Sequence, residues 1–212
     1  MTIQATLVTD GSSDTVLLPI IRWLFGQLSP TPVELHWGDL RGLPQSPRKL
    51  AQRLACAVEM YPCQILLVHR DAENQAADHR YREVGAAVGE TNLTGLPHVC
   101  VVPVRMQEAW LLLSEAALRE AAGRPSGTIP LGLPPVNAWE TIADPKSVLR
   151  QALVVASGAK GRRAQRFNPS KRAHRLADLV DDWSVLRQLP SFQRLERDAR
   201  AAFVSLGLPL HL

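Results

Sequence analysis

Acidic side chains follow three of the apolar runs in the sequence, at the points where strands are expected to end. Asp10 and Asp14 come after the first run, Asp71 and Glu73 after the third with one residue between them, and Glu108 after the fourth. The carboxyl ends of parallel strands meet at one edge of a sheet, so we expect these carboxylates to lie close together. Carboxylate oxygens are the hard ligands that Mg²⁺ prefers. The sequence therefore predicts a Mg²⁺ (or Mn²⁺) site formed by Asp10, Asp71, Glu73 and Glu108.

The chemistry predicted for such a site is cleavage of a phosphodiester. A bound divalent ion can activate water and stabilise the charge that develops on the leaving oxygen. Crowded carboxylates repel one another, which raises the pKa of one of them and suits it to act as a general acid or base. All five acids are thus candidate catalytic residues, with Asp14 or Glu108 completing the shell or serving as acid or base. The alternative is that the acids are helix caps and solvated loop ends, since Asp10 and Asp14 are of a type common at caps.

The elements that must position these acids alternate along the first half of the chain. Apolar runs bounded by turn residues predict four strands, over Ile3–Thr9, Val33–Trp37, Gln64–His69 and His98–Val104. Helical spacing and capping residues predict four helices, after Ser12-Ser13-Asp14, from Ser46-Pro47 to about Met60, near Ala76–Val88 and over Gln107–Ala121. The alternation predicts an α/β fold with a mostly parallel sheet flanked by helices.

The second half of the chain has a different character. Glycine and proline are dense between Gly123 and Pro135, which is typical of a connector. Beyond it the pattern is helical, with helices starting at Asp144-Pro145, near Ser170 and near Ser191. We therefore predict an α/β domain over residues 1–122 and a helical C-terminal region over residues 123–212 packed on it.

Composition narrows the class of protein. The chain has 212 residues, of which 46% are hydrophobic, so it can bury a core of ordinary size. Its three cysteines include no CxxC pair, which argues against a disulfide framework or a zinc site and favours a reducing compartment. The first residues contain no basic stretch followed by an apolar one, so we expect no secretory leader, and no run approaches 18 apolar residues. The expectation is a soluble, cytoplasmic protein that is not embedded in a membrane.

Basic residues are concentrated in the C-terminal region. The segment from Lys160 to Arg175 contains seven Lys or Arg and no acid, within a chain of net charge +4. Such a patch is what phosphate contacts require, although charge runs are also common on solvated helix faces. We predict DNA or RNA as the partner. The candidate nucleic-acid-binding residues are Lys146, Lys160, Arg162, Arg163, Arg166, Lys171, Arg172 and Arg175.

Three segments in this order, TLVTDGSSD, LLVHRDAEN and VPVRMQEAWLL, resemble the TOPRIM-like DUF4276 family, and DPKSVLRQAL, FNPSKRAHRLADLVD and LPSFQRLERDAR resemble its helical C-terminal half. The resemblance implies a TOPRIM-like parallel sheet flanked by helices. It places the family's leading acid at Asp10, its D-x-[DE] pair at Asp71 and Glu73, and the acid of its EAW segment at Glu108. The leading position is usually Glu, and the shorter Asp10 puts catalysis in doubt more than the fold.

These observations lead to hypotheses of different classes. The first is a Mg²⁺-dependent nuclease acting in bacterial defence against phage, a setting that the resemblance alone implies. The second is a non-catalytic partner or sensor subunit of a defence complex that contains an ATPase, which the Asp10 substitution favours. A third, weaker one is a phosphohydrolase acting on nucleotides. The resemblance also implies that the chain can pair as a homodimer.

Overall fold

A computed structural model describes residues 2–45 and 47–211 and has an α/β fold. Within those residues, one four-stranded sheet has the order β2-β1-β3-β4 and all of its pairings are parallel. The strands are β1 (Ile3–Val8), β2 (Val33–Trp37), β3 (Ile65–His69) and β4 (His98–Val101). The predicted parallel sheet is confirmed, although β1 ends one residue and β4 three residues earlier than predicted.

Helices flank the sheet as the sequence predicts, and the short helix over Arg162–Arg166 is an additional one that the sequence pattern did not predict. They are α1 (Leu17–Leu28), α2 (Leu50–Met60), α3 (Ala77–Gly89), α4 (Glu115–Ala121), α5 (Pro145–Ser157), α6 (Arg162–Arg166), α7 (Pro169–Leu179) and α8 (Pro190–Ser205). Short 3-10 helices cover Ser12–Val16, Gln107–Leu111, Val136–Thr141 and Ser184–Gln188. Pro19 lies in the first turn of α1, where its missing N–H costs no hydrogen bond. The predicted cap Ser46 lies outside the described residues.

One prediction is wrong, because a stretch predicted as one continuous helix is interrupted. The stretch Gln107–Ala121 forms a 3-10 helix over Gln107–Leu111 and then α4, which starts afresh at Glu115. The interruption has a local cause, because the Ser114 side chain accepts a hydrogen bond from the backbone N–H of Ala117 and caps the new helix. The break matters for the site because it leaves Glu108 in a short turn of its own.

Both faces of the sheet are covered by apolar side chains. On one face, Ile65 and Leu67 of β3 join a core that α1, α4, α5, α7 and α8 complete. On the other face, Leu66 and Val68 pack against α2 and α3. Successive strand residues point to opposite faces, so every residue of β3 is buried, as is usual when helices cover a parallel sheet on both sides.

The helical C-terminal region contributes to the larger of these two cores. Trp183, Phe192 and Phe203 are fully buried in it together with Trp110 from the first half of the chain. The Trp110 indole lies edge-on to the Phe192 ring, with centroids 5.4 Å apart, and donates a hydrogen bond to the Ser191 hydroxyl over 3.2 Å. The segment that carries Glu108 is therefore anchored to α8.

Capping residues set the starts of the C-terminal helices. Asp144 caps α5 through a 2.9 Å hydrogen bond from the Ser147 N–H, as predicted. Asn168 caps α7 by accepting from the Lys171 N–H, so that helix starts at Pro169, one residue before the predicted Ser170. The length and polarity of the described helices leave none that is suited to crossing a membrane.

Candidate active site at the carboxyl edge of the sheet

Asp14 is buried at the start of the chain segment that follows β1, with a side chain surrounded by donors. Its Oδ2 accepts from the backbone N–H of Gly11 over 2.9 Å. Its Oδ1 accepts from the Ser13 hydroxyl over 2.9 Å and from the Gln107 side-chain amide over 2.8 Å. Asp14 therefore does more than cap a helix, because it joins the end of β1 to the segment after β4.

Asp71 follows β3 and lies against the same glutamine. Its Oδ1 accepts a 2.9 Å hydrogen bond from the Gln107 backbone N–H. Burial raises the pKa of Asp71 to about 6, and the nearby charges of Glu108 and Asp14 act in the same direction, against the lowering effect of His69. A carboxyl group with this pKa can exchange its proton close to neutral pH, which is the property required of a general acid or base.

His69, the last residue of β3, lies between the two aspartates and is almost fully buried. Its Nδ1 donates a 3.0 Å hydrogen bond to the Val101 carbonyl, which fixes the ring orientation. Its Nε2 then faces Oδ1 of Asp71 at 3.6 Å and Oδ2 of Asp14 at 4.0 Å. The imidazole is thus a shared neighbour of both carboxylates.

The loops after β3 and β4 continue side by side beyond the sheet, with a strained backbone. Glu73 and Arg105 have positive φ angles of 54° and 65°, a conformation that costs free energy in residues other than glycine. The two residues are joined by a 2.7 Å hydrogen bond from the Glu73 N–H to the Arg105 carbonyl. A second one, also 2.7 Å long, runs from the Arg105 side chain to Asn74. These two hydrogen bonds fix the path of the loop two residues beyond Asp71.

Glu73 itself does not share the contacts of Asp14 and Asp71. Its side chain is 60% exposed and accepts from Arg80 over 3.2 Å. Arg80, which is buried, also donates to the Asp71 carbonyl over 2.9 Å and pairs with Glu83. Arg80 thereby holds the Asp71 loop against α3.

Asp10 also has arginine partners. Arg53 from α2 and Arg70 from the end of β3 each donate to its carboxylate over 2.7 Å, and Arg53 further donates to the Thr9 carbonyl. Burial acts to raise the pKa of Asp10, but the hydrogen bonds and charges of the two arginines outweigh it and hold the pKa below its ordinary value. Asp10 is therefore an ionised partner of two cations.

Glu108 connects the acidic residues with the basic region. It lies in the 3-10 helix after β4, with its side chain 15% exposed and 3.9 Å from Nζ of Lys146. The same side chain forms part of the wall of a cavity of about 490 Å³. Lys146, Arg150 and Arg166 line that cavity too, and the charge of Glu108 helps to raise the pKa of Asp71, so one carboxylate lies near both the buried cluster and a basic surface.

The predicted nucleic-acid-binding residues are divided between this cavity and the surrounding surface. Lys146 and Arg166 line the cavity. Arg172 is partly buried, donates to the Ala121 carbonyl over 3.3 Å and lies over the Phe167 ring. The exposed members are Lys160, Arg162, Arg163, Lys171 and Arg175. The basic segment therefore presents one concave and one open surface.

The donors of the cluster can be compared with the needs of a divalent cation. Among the residues that the structure describes, no three His, Cys, Asp or Glu are arranged to hold a metal ion. Mg²⁺ usually binds through one or two carboxylates together with water and substrate phosphate, so a complete protein cage is not required. Asp71 and Glu108 are two such carboxylates, and among the described residues the buried side-chain oxygen Oε1 of Gln107 has no hydrogen-bond partner. All three groups offer hard oxygen donors of the kind that Mg²⁺ or Mn²⁺ prefers.

The structure thus brings together three of the five predicted acids, Asp14, Asp71 and Glu108, and pairs Asp10 and Glu73 with arginines. The cluster lies between β1 and β3, where the strand order 2-1-3-4 changes direction. Sites of open α/β sheets form at such switch points. Gln107 and Arg150 were not identified as site residues from the sequence. A glutamine or an arginine is common in a helical stretch, and only the folded chain shows which residues lie next to it.

Comparison with protein-family models, with curated proteins and with solved structures found no match to this chain. The resemblance to TOPRIM-like proteins therefore rests on the segments TLVTDGSSD, LLVHRDAEN and VPVRMQEAWLL and on those of the C-terminal half.

Proposed function

We propose that the protein is a Mg²⁺- or Mn²⁺-dependent phosphodiesterase that cleaves DNA or RNA with a site of TOPRIM-like type. One observation carries this proposal. Glu108 is at once close enough to Asp71 to raise its pKa and part of the wall of a cavity lined by Lys146, Arg150 and Arg166. A phosphodiester bound to those cations would lie next to the carboxylates that serve its hydrolysis.

The carboxylates divide the work in this proposal. Asp71 and Glu108 hold the cation, with Oε1 of Gln107 as an additional oxygen donor. When bound, the ion supplies an activated water and stabilises negative charge on the leaving oxygen. Asp14 keeps Gln107 in place through their 2.8 Å hydrogen bond. His69 lies near enough to both aspartates to accept or return a proton.

The experiment that tests the proposal measures cleavage of single- and double-stranded DNA and RNA by the purified protein. Cleavage should require added Mg²⁺ or Mn²⁺ and be stopped by a chelator. It should also be lost in Asp71→Asn, because a metal ligand should matter more than a residue that only supports one, whose loss costs about 10–100-fold. The matched control is Asp181→Asn, an exposed aspartate without a partner in the described part of the chain.

Two results would count against the proposal. One is cleavage that persists in Asp71→Asn at the wild-type rate, which would point to a contaminating nuclease. The other is the absence of metal-dependent cleavage on all four substrates by a folded protein. Circular dichroism and a cooperative unfolding transition would show that each variant is folded.

A second candidate function is that of a non-catalytic subunit, and the ion pairs of Asp10 favour it. The residue that the resemblance aligns with the leading acid of the family is held by Arg53 and Arg70. In this case the chain would bind nucleic acid or a partner ATPase, in a bacterial defence complex, without cleaving anything. Nucleic-acid binding that survives in Asp71→Asn, with no cleavage by the wild type, would favour this candidate.

A further inference from the structure

The cavity beside Glu108 has the size of a small-molecule site. It lies between α5 on one side and α6 with the start of α7 on the other, and its volume is about 490 Å³. Ligand sites typically occupy about 300–1,000 Å³. The space therefore suits one nucleotide-sized group and is far larger than a metal ion needs.

Three cations line this cavity. Lys146, Arg150 and Arg166 face two acids, Glu108 and Asp144, and Asp144 is already engaged as the cap of α5. The side chains of Arg150 and Arg166 are exposed and make no hydrogen bond or ion pair within residues 2–45 and 47–211. A guanidinium group offers two parallel donors that match the oxygens of a phosphate. The wall thus has unused donors for an anionic group.

Apolar side chains complete the lining. Leu149 and Leu153 of α5 lie on one side of the cavity, and Phe167 and Ala173 on the other. The guanidinium of Arg172 lies 5.7 Å from the centre of the Phe167 ring, a cation–π distance that helps to hold the ring in place. A base or ribose can bury its flat, weakly polar surface against these groups while the phosphate meets the cations. The cavity therefore has cations for a phosphate and apolar side chains for a base.

We infer that this cavity binds the terminal nucleotide of a nucleic-acid strand and recognises its terminal phosphate through Arg150 and Arg166. This inference rests on the proposed function for the claim that the adjoining phosphodiester is cleaved. The volume of the cavity favours a strand end because it holds one nucleotide, whereas surfaces that bind the interior of a strand usually follow about 4–16 nucleotides. Glu108 in the cavity wall places the next phosphodiester beside the acidic cluster.

The test is a binding measurement without divalent ions. Fluorescence anisotropy in a chelator compares one short single-stranded oligonucleotide with and without a terminal phosphate, placed at the 5′ end or at the 3′ end. We expect the phosphate at one of the two ends to tighten binding by about tenfold or more, because charge-assisted hydrogen bonds from even one arginine would contribute that much. Arg150→Gln and Arg166→Gln should each reduce that preference, and the double variant should abolish it.

Arg163→Gln provides the matched control, since Arg163 is an exposed arginine of the same helix, α6, and does not line the cavity. It should leave the ratio of the two affinities unchanged even if both affinities fall. Equal affinity for oligonucleotides with and without terminal phosphates would overturn the inference. A preference for the terminal phosphate that survives in the double variant would overturn it too. Binding of a free mononucleotide, without a preference for phosphorylated oligonucleotides, would also overturn it and would assign the cavity to free nucleotides.

Failure of this inference differs from failure of the proposed function. Binding is measured without metal, so a phosphate preference without any later cleavage would support the terminal-nucleotide site and count against the nuclease. Conversely, metal-dependent cleavage of a circular single strand at the rate of the linear one would keep the nuclease and overturn recognition of a strand end.

Discussion

Nε2 of His69 lies 3.6 Å from Oδ1 of Asp71 at the buried edge where β1 and β3 end. Because Nδ1 of the same ring donates to the Val101 carbonyl, the ring is fixed with Nε2 facing the carboxylate. Burial, the largest cause, raises the pKa of Asp71 to about 6, so this carboxyl group can exchange a proton beside the imidazole close to neutral pH.

The first prediction concerns the pH dependence of stability in the absence of divalent ions. The pKa of Asp71 is about 6 in the folded chain against an ordinary value of 3.8, so between these values the folded state binds more protons than the unfolded state. Stability therefore falls as pH rises from about 4 through about 6. Relative to Asp71→Asn, which does not titrate, the wild type should lose up to about 3 kcal/mol over this range.

Urea unfolding in a chelator at several pH values from about 4 to about 7 measures this difference. Asp181→Asn serves as the control because an exposed carboxylate should show no comparable change. Wild-type and Asp71→Asn curves that stay parallel across the range would contradict the prediction.

The second prediction separates Asp71 from Asp10 as metal ligands. Asp10 is neutralised by Arg53 and Arg70, so releasing it to a cation would leave two partly buried guanidinium groups without their carboxylate. We expect Asp71→Asn to weaken Mn²⁺ binding by more than about 100-fold and Asp10→Asn by less than about tenfold. Calorimetric titration of Mn²⁺ into each variant measures both. Equal losses would restore Asp10 to the predicted metal shell.

The third prediction concerns Gln107, whose backbone donates to Asp71 and whose side chain donates to Asp14. Gln107→Leu keeps the backbone bond but removes a donor from a buried carboxylate, which should cost about 1–3 kcal/mol of unfolding free energy. It also removes the unpartnered Oε1, so Mn²⁺ affinity should fall as well. Gln52→Leu, at an exposed position of α2, should change neither quantity. A folded Gln107→Leu variant with wild-type Mn²⁺ affinity would exclude the amide as a ligand.

The sheet could be predicted from the sequence because its strands depend on local patterns. β3 consists of four apolar residues and His69 between turn residues, and it is buried on both faces as such runs usually are. The position of Asp71 at the carboxyl edge follows directly from that strand. The break at Ser114 was missed because a single capping hydrogen bond sets it.

The partners of the acidic side chains could not be predicted in the same way. Asp10 and Asp71 both follow buried strands, yet one meets Arg53 from α2 and the other meets Gln107 from beyond β4. Those partners are 43 and 36 residues away along the chain, so only tertiary packing decides which carboxylate becomes an ion pair. The arginine contacts of Asp10 are therefore a finding of the structure alone.

The fourth prediction links the core to the site through Trp110. Trp110 comes two residues after Glu108 in the chain. Its buried indole packs edge-on against Phe192 and hydrogen-bonds to Ser191. Trp110→Ala should lower the unfolding free energy by about 3–5 kcal/mol. Trp110→Phe keeps much of the packing and loses the hydrogen bond, so it should cost less. Thermal unfolding measures stability, and Mn²⁺ affinity of the Phe variant tests whether Glu108 keeps its place. A Trp110→Ala loss below about 1 kcal/mol would contradict this anchoring role.

The fifth prediction concerns the exposed basic residues that do not line the cavity, such as Arg163 and Arg175. If they contact phosphates of a bound strand, each one lost should reduce the slope of log affinity against log salt by about 0.7 for single strands or about 0.9 for duplex DNA. Arg200→Gln, at an exposed position of α8, should leave the slope unchanged. Titrations at several salt concentrations give the slopes directly. An unchanged slope in the Arg163→Gln and Arg175→Gln double variant would mean that these residues form only a solvated helix face, and that phosphate contacts are confined to the cavity beside Glu108.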